Sequence, residues 1–467
     1  MAAPRGSIFG ALLLISIGGL FLWANLDPSL RPWYLIGRYW PVLIIFWGLG
    51  KLVDYLSARG TPEAAQAARL SGGDIFLLIF ILLIGTAVSR ATQRSFWGDI
   101  GVQMEDEDWE RWFGNRYEFS AAIEQALPSP AILHITNQGN VTLIAQDGAG
   151  LQGTVRKIIY APTEAEAEQR AQEVEVGLEP IPGGPAGSYQ LRLKLRGGDA
   201  RGARADLELR VPIRTSVRLE SRRGDARIEG LTGEVQVDLD RGSAEIASIT
   251  GPVKVELRRG SARVEHVRGN VEVRGRGNEI AVADVQGEAR IEGEFVGPIR
   301  ASAISQEAQF VSRRTNFTAE RIDGELELVR GDLNVRRPAG NITLIAEDKD
   351  IDLDDLEGAV RVQNRHGLIK LRFPRSPRQP IEAESHSGDI EVVLPANSAF
   401  SIEARAPSGE IINQFSGDQL TLKEENGGAT LTGSYGQRGP GIRLTSRYGS
   451  IRLLRATPAG AGQPPSR

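Results

Sequence analysis

The sequence contains no cysteine, and its 467 residues include only four histidines and two methionines. The lack of cysteine excludes disulfide bonds, thiolate nucleophiles and cysteine-ligated zinc or iron–sulfur centres, but it leaves the cellular compartment open. The net charge is only −4, and charged residues are mixed along the chain rather than grouped in basic blocks. We therefore expect no cofactor and no nucleic-acid partner.

Aromatic residues are also scarce, at 6%, and four of the seven tryptophans lie within the first 50 residues. Three apolar runs, 8–26, 40–56 and 74–88, have aromatic residues near their ends, as membrane-spanning segments do. The sequence predicts three transmembrane α-helices within residues 1–95, with the lipid bilayer as a partner. A cleaved signal peptide is the alternative for the first run. Flanking basic residues are balanced between the two sides, so the orientation stays open.

The rest of the chain is organised by a repeat of 18 residues that is clearest from residue 217 to residue 288. Each repeat has two short stretches of alternating apolar residues, separated by a glycine at position 8 and closed by a glycine at position 17. So short a strand pair cannot bury its apolar face alone, but stacked repeats can. The sequence therefore predicts an all-β solenoid, β-helix-like, with about 18 residues per rung. A β-sandwich is the alternative.

The predicted solenoid covers residues 129–456 and follows an aromatic and acidic juxtamembrane segment at 96–128. Asn278 replaces the position-8 glycine in one rung and is predicted to adopt a left-handed backbone. Two stretches, 289–307 and 326–341, break the period and are predicted to be bulged or clipped rungs.

Two further segments do not fit the repeat. An irregular insertion at 151–210 contains a predicted short helix, in which Thr163 and Glu166 form a capping box, and this insertion is expected to cap the open end of the array. Residues 457–467 are rich in proline and glycine and are predicted to be a disordered tail.

The motifs LELRVP at 207–212 and SHSGDIEVVLP at 385–395, together with the glycine-containing rungs, resemble the bacterial putative-adhesin domain family. The likeness covers roughly residues 130–455 and implies a repetitive all-β domain. The N-terminal apolar runs resemble a LiaI–LiaF-like transmembrane region. Together the resemblances imply a multi-pass protein of the bacterial inner (cytoplasmic) membrane with a role in the cell envelope. Neither family has catalytic residues to transfer to this chain.

Residue types that support catalysis or metal binding are few. His366 and His386 precede turn glycines and are predicted to lie near each other on adjacent rungs, but no metal-ligand spacing is present. The acidic run at 347–358 is interpreted as a solvated face rather than a calcium site, because Ile351 and Leu353 take the core positions. No pair of carboxylates is singled out for cleaving a glycosidic bond. We expect no catalytic residue, no metal site and no enzymatic activity.

The strongest candidate site is a row of arginines just before the position-8 turn. Stacking places successive rungs about 5 Å apart, so these side chains would line one edge. Guanidinium groups in that arrangement suit an anionic polymer, such as lipopolysaccharide phosphate or an acidic glycan. The alternative is a surface of interleaved ion pairs, because Glu220, Asp238 and Glu256 lie nearby in sequence. The candidate residues are Arg222, Arg223, Arg241, Arg258, Arg259 and Arg276.

These features favour a membrane-anchored, non-enzymatic solenoid of the bacterial cell envelope, with the C-terminal domain extracytoplasmic. It would act in adhesion, scaffolding or envelope-stress sensing, and an envelope signalling protein is a further candidate partner. The main alternative is a cytoplasmic-facing, bactofilin-like scaffold or signalling regulator, which would need an uncapped terminal rung with exposed apolar edges. A carbohydrate-active β-helix enzyme is a third hypothesis.

Overall fold

The computed structural model describes residues 115–161, 163–195, 204–417 and 419–456. These residues fall into two compact units. Of the described residues, one unit contains 115–117 and Ile159–Gln172. The other, which we call the solenoid unit, contains Glu118–Ile158 and the described residues from Glu173 onward.

The described chain is built of strands that join in one hydrogen-bonded sheet, plus a helix, α1 (Glu164–Glu173). The first strands are β1 (Asn115–Gln125), β2 (Ala131–Asn137), β3 (Val141–Gln146), β4 (Leu151–Ala161), β5 (Val174–Pro180), β6 (Ser188–Leu195), β7 (Arg204–Pro212), β8 (Thr215–Ser221) and β9 (Ala226–Glu229). The middle strands are β10 (Val235–Thr250), β11 (Val253–Arg268), β12 (Val271–Gly277), β13 (Ile280–Val285), β14 (Ala289–Phe295), β15 (Ile299–Ile304), β16 (Ala308–Val311), β17 (Thr315–Leu328) and β18 (Asp332–Asp348). The last strands are β19 (Asp350–Asp354), β20 (Val360–His366), β21 (Ile369–Arg372), β22 (Ile381–Ser387), β23 (Ile390–Leu394), β24 (Phe400–Ala406), β25 (Ile411–Asn413), β26 (Leu420–Glu425), β27 (Gly428–Tyr435), β28 (Gly441–Ser446) and β29 (Ile451–Arg455).

The predicted fold class is wrong in its membrane part. Within the described ranges no helix is long and apolar enough to cross a bilayer. Helix α1 has ten residues, which at 1.5 Å per residue is about half of a hydrocarbon core roughly 30 Å thick. The three apolar runs predicted to span the membrane lie in residues 1–95, outside the described residues.

The 18-residue repeat is the stacking period of a β-solenoid, as predicted. Val235 of β10 pairs in parallel with Val217 of β8 on one side and with Val253 of β11 on the other. Each rung contributes its opening strand to a first column and its closing strand to a second. Inward residues such as Val237 and Leu239 are fully buried, while the residues between them face outward. The apolar interior is therefore continuous from rung to rung.

Corner glycines allow successive rungs to approach closely. Gly242 has a φ of +134°, and a Cβ atom placed on it would lie 2.0 Å from the carbonyl oxygen of Gly224. In the next rung a Cβ atom on Gly260 would lie 1.9 Å from the carbonyl oxygen of Gly242. The prediction for Asn278 is wrong, because its φ is not positive. Gly277 takes the stacked position instead, where a Cβ atom would lie 2.2 Å from the oxygen of Gly260.

The two stretches that break the period have different structures. In rung 289–307 one extra residue bulges out at Val296, which is 83% exposed, while β14 and β15 keep their parallel pairing with β12 and β13. The bulge confirms the prediction. The second stretch belongs to a chain reversal, not a clipped rung: β17 pairs antiparallel with β15, β16 and β18. The turn before β17 is closed by Ser312, whose N–H donates to the carbonyl of Thr315 (2.8 Å).

The first and the last described rungs of the sequence each lie in space between two other rungs. Strands β2 and β3, the first rung, lie between β6 and β7 on one side and β8 and β9 on the other. Strands β28 and β29, the last rung, lie between β22 and β23 and β24 and β25. Spatial order therefore departs from chain order at both ends.

The insertion at 151–210 contains the predicted helix. The Glu166 N–H donates to Thr163 Oγ1 (3.4 Å), which is one half of the predicted capping box, and Arg170 forms an ion pair with Glu166 (2.8 Å). In the solenoid unit the same insertion supplies β6, which pairs with β2, and β7, which pairs with β3 and β4.

The corner geometry gives a stability prediction. Gly242→Ala should lower the free energy of unfolding by about 2 kcal/mol or more, because the new methyl group must displace the Gly224 carbonyl. Gly331→Ala is the matched control, since Gly331 has no neighbour within 4 Å of an added Cβ atom. Urea unfolding followed by circular dichroism measures both, and equal midpoints for the two variants would contradict the prediction.

Candidate anion-binding edge

The six candidate arginines lie together along one edge of the solenoid unit, where first-column strands end. Arg241 pairs directly with Arg259 across β10 and β11. Four residues directly follow the stacked positions Ser221, Leu239, Leu257 and Gly275 on successive rungs, namely Arg222, Asp240, Arg258 and Arg276. We call the six arginines the arginine edge. Stacking thus places like charges beside one another, as expected, but with one carboxylate in the row.

Acidic residues neutralise only part of this edge. Asp240 forms an ion pair with Arg259 (3.6 Å). Glu220 and Glu256, which were candidates to neutralise the arginines, instead pair with Arg218 and Lys254 on their own strands, each at 3.3 Å. The surface of interleaved ion pairs therefore exists, but its acidic residues lie two positions before Arg222 and Arg258 and do not neutralise them.

Asp238 lies in the same acidic column as Glu220 and Glu256. Partial burial raises the pKa of Asp238 above its usual range, and the neighbouring Glu256 carboxylate raises it further. The Arg258 guanidinium opposes this by favouring the charged form. Asp238 thus interacts electrostatically with Arg258 of the arginine edge without forming an ion pair with it.

Three of the six arginines, Arg222, Arg258 and Arg276, are exposed. None of the three forms an ion pair within 4.0 Å with any residue that the structure describes. Each directly follows a stacked strand residue, and Asp240 takes that place on the rung between Arg222 and Arg258. At about 4.8 Å per rung, this gives a linear set of guanidinium donors along a rigid edge.

The same edge continues past the chain reversal. Arg313 lies 4.0 Å from Glu294, and Arg314 lies 3.8 Å from Asp348. His366 Nδ1 is 2.7 Å from the same Asp348 carboxylate, and its ring centroid is 6.4 Å from that of His386. The prediction that the two histidines lie near each other is confirmed. This middle stretch differs from the arginine edge, because its cations are paired.

The acidic run at 347–358 has protein partners for its carboxylates. Arg372 binds Asp352 (2.8 Å) and Asp354 (2.9 Å), and its hydrogen bond holds the pKa of Asp354 below its usual range. Asp350 accepts a hydrogen bond from the Leu368 N–H (2.8 Å). Ile351 is buried, as the interpretation as a solvated face required. Among the residues described, no group of three or more histidine or acidic side chains is arranged to hold a metal ion.

Sequence reasoning missed a set of short polar residues that join the corners. The Ser243 N–H donates to Asp225 Oδ1 (2.8 Å), and the Glu288 N–H donates to Asn270 Oδ1 (3.1 Å), in each case 18 residues further along the chain. The available signal was the recurrence of Asp, Ser or Asn directly after a corner glycine. These side chains satisfy backbone donors that the corner would otherwise leave without a partner.

The comparisons with known proteins agree with a repetitive β fold. Residues 305–453 match the model of the Toastrack DUF4097 family, less than half of the chain, and the match begins close to the chain reversal. The C-terminal part of the chain is therefore similar to a Toastrack DUF4097 domain.

A crystal structure of a "putative cell adhesion protein" from Clostridium sporogenes is 11% identical, with 73% of this chain and 100% of that chain covered. The TM-score of the two structures is 0.15. No curated protein matches the chain. The match to the Toastrack DUF4097 family does not include the N-terminal apolar runs, so their likeness to a LiaI–LiaF-like region stays a prediction.

A second pair of stacked polar residues yields a pH prediction. His266 Nδ1 lies 2.7 Å from Asp284 Oδ2 on the next rung, and this hydrogen bond raises the pKa of His266 above its usual value. Because the folded-state pKa is the higher one, the contact stabilises the fold fully below the unfolded-state pKa of about 6.5. Its contribution is lost as the pH rises through the folded-state value.

We expect Asp284→Asn to lower the pKa of His266, measured by NMR titration of the imidazole protons. His134 serves as the internal control, since it lies on another strand, β2. An unchanged His266 pKa in the variant would show that the hydrogen bond does not form in solution.

Proposed function

We propose that this chain is a non-enzymatic binding protein of the bacterial cell envelope, whose arginine edge holds an anionic polymer. The observation that supports the proposal is the row of Arg222, Arg258 and Arg276, exposed and without an ion pair among the described residues. Acidic glycans and lipopolysaccharide phosphates are the ligands with suitable chemistry, because a guanidinium group binds carboxylate and phosphate oxygens in bidentate fashion.

The spacing of the edge favours a polymer over a small anion. A single exposed ion pair contributes only about 0.2–1 kcal/mol, so one arginine would hold a ligand weakly. Several sites on one rigid edge act together when the ligand is itself a chain, because each contact raises the effective concentration of the next. Exposed charges are also screened by salt, so the affinity should fall as ionic strength rises.

An extracytoplasmic position and a role in adhesion, scaffolding or envelope-stress sensing complete the proposal. They rest on the similarity of residues 305–453 to the Toastrack DUF4097 family, on the resemblance to the bacterial putative-adhesin family and on the chemistry of the arginine edge. Non-enzymatic action is part of the same proposal. It is supported by the acidic run, whose carboxylates Asp350, Asp352 and Asp354 are bound by other groups of the chain.

The exposed end of the described array gives little support to a bactofilin-like polymer. Strand β26 pairs only with β27 among the described strands, and it carries Lys423, Glu424 and Glu425. Charged residues on an edge strand oppose docking of a further strand. Sedimentation of the full chain would detect end-to-end assembly.

The binding role is tested with two matched triple variants of the full chain. Replacing Arg222, Arg258 and Arg276 by Ala removes three unpaired charges, while the control replaces three ion-paired arginines, Arg218, Arg263 and Arg290. Binding of inorganic polyphosphate and of polygalacturonate is measured by calorimetry. We expect at least about tenfold weaker binding in the first variant and about threefold or less in the control. Equal losses, or none, would contradict the role of the edge.

The location is tested separately with a protease added to intact spheroplasts of cells expressing the chain with a C-terminal tag. Degradation of the tag before lysis is expected for an extracytoplasmic solenoid. Protection until lysis would overturn the location, and it would leave the polymer-binding measurement unaffected.

A further inference from the structure

Further along the edge that carries the arginines, three successive rungs bring a different set of side chains together. His366 is the last residue of β20, His386 is the last residue but one of β22, and the pair Arg447–Tyr448 directly follows β28. The His386 and Tyr448 ring centroids are 5.3 Å apart at an interplanar angle of 77°, and the Arg447 guanidinium lies 5.6 Å from the Tyr448 centroid. We call these four residues the aromatic corner.

Backbone contacts between distant parts of the chain hold the aromatic corner in place. The Tyr448 N–H donates to the His386 carbonyl (3.1 Å), which fixes the last rung against the one beneath it. Under the corner, Asn364 Nδ2 donates to the His366 carbonyl (2.7 Å), and Ser446 Oγ donates to the Gly388 carbonyl (2.7 Å). The rings are thus presented by a rigid backbone rather than by a loose loop.

The Tyr448 side chain is open to solvent. It is 56% exposed, and its hydroxyl group forms no hydrogen bond with the described residues. Arg447 is exposed and forms no ion pair within the same part of the chain. His366, by contrast, is engaged by Asp348. The corner therefore offers an aromatic ring, a free phenol group and an unpaired cation side by side.

A sugar unit that carries a carboxylate matches these three groups. The apolar C–H face of a pyranose ring packs on an aromatic ring, its hydroxyl groups hydrogen-bond a phenol, and its carboxylate suits a guanidinium group. A phosphate chain has no ring to pack. The aromatic ring therefore favours a charged sugar over a bare chain of phosphate groups, a distinction that the arginine edge alone does not make.

We propose that the aromatic corner binds a uronic-acid unit of an acidic polysaccharide that also lies along the arginine edge. This inference rests on the proposed function for its second contact. From Arg276 on β12 to Tyr448, the first column passes through β14, β16, β17, β18, β20, β22 and β28, which is about 34 Å at ~4.8 Å per strand. The stretch between them is neutralised by the pairs Arg313–Glu294 and Arg314–Asp348, so the two contacts are separate subsites on one edge.

The test compares Tyr448→Ala with Tyr448→Phe in the full chain, using long polygalacturonate, trigalacturonate and inorganic polyphosphate as probes. Tyr448→Ala should weaken binding of polygalacturonate by about tenfold and leave polyphosphate binding within about twofold. Tyr448→Phe keeps the ring and should keep most of the affinity. Long polygalacturonate should bind more tightly than trigalacturonate by more than the number of units explains, because it reaches both subsites.

The outcomes separate this inference from the proposed function. If Tyr448→Ala binds polygalacturonate like the unmodified chain, or the unmodified chain does not bind it, the aromatic corner is not a glycan subsite. In either case, a loss of polyphosphate binding in the Arg222, Arg258, Arg276 triple variant still supports the arginine edge. If that triple variant binds polyphosphate normally, the proposed function fails, and Tyr448→Ala against trigalacturonate decides on the corner alone. Unchanged thermal midpoints of both Tyr448 variants exclude unfolding as the cause.

Discussion

Parallel backbone hydrogen bonds join each rung to the next at a fixed spacing, and this register requires the corner backbone of one rung to lie almost on that of another. A Cβ atom at Gly242 or Gly260 would come within 2.0 Å of a carbonyl oxygen in the preceding rung. Glycine at the corner is therefore a condition for the pairing of both strand columns and for the continuous buried interior. Asp225 and Asn270 reinforce the arrangement by accepting backbone N–H groups from the next rung.

The same register decides the electrostatics of the surface. An 18-residue step places each outward residue beside its counterpart, so Arg241 stacks on Arg259, and Glu220 on Asp238. Like charges repel at this distance, and the chain relieves most of the repulsion with pairs two residues apart on one strand, such as Arg218–Glu220. The arginine edge is where this compensation is incomplete, which is the physical basis for assigning it a ligand.

The spatial order of the rungs near the C-terminal end of the described chain also determines which side chains meet on the surface. Because the last rung is inserted between β22 and β24, Tyr448 lies against His386, although 62 residues of sequence separate them. The aromatic corner would not exist if the rungs followed one another in chain order. The insertion also leaves the charged strand β26 on the outside, next to β27, where it opposes the addition of a further strand.

Much of this organisation could be predicted from the sequence. The 18-residue period, the inward and outward alternation and the closeness of His366 and His386 follow from local patterns, which report a stacking rule directly. The stacked arginines could be predicted for the same reason. Which of them lack an ion pair could not, because that depends on the side-chain choices of Glu220, Glu256 and Asp240.

Tertiary structure alone decided the direction and the order of the strands. A strand has the same two-residue alternation whether its neighbour is parallel or antiparallel, so the reversal at β17 left no distinct signal and was mistaken for a shortened rung. Asn278 was misassigned because the stacked position moved by one residue to Gly277. The prediction of membrane spans rested on apolar runs with aromatic residues near their ends, which lie outside the described residues, and the helix that the structure does describe is too short to cross a bilayer.

The sequence by itself determined the rung, because a rung is a local pattern of glycine and apolar residues. The order in which rungs stack depends on contacts between residues far apart in the chain, and no local pattern encodes it.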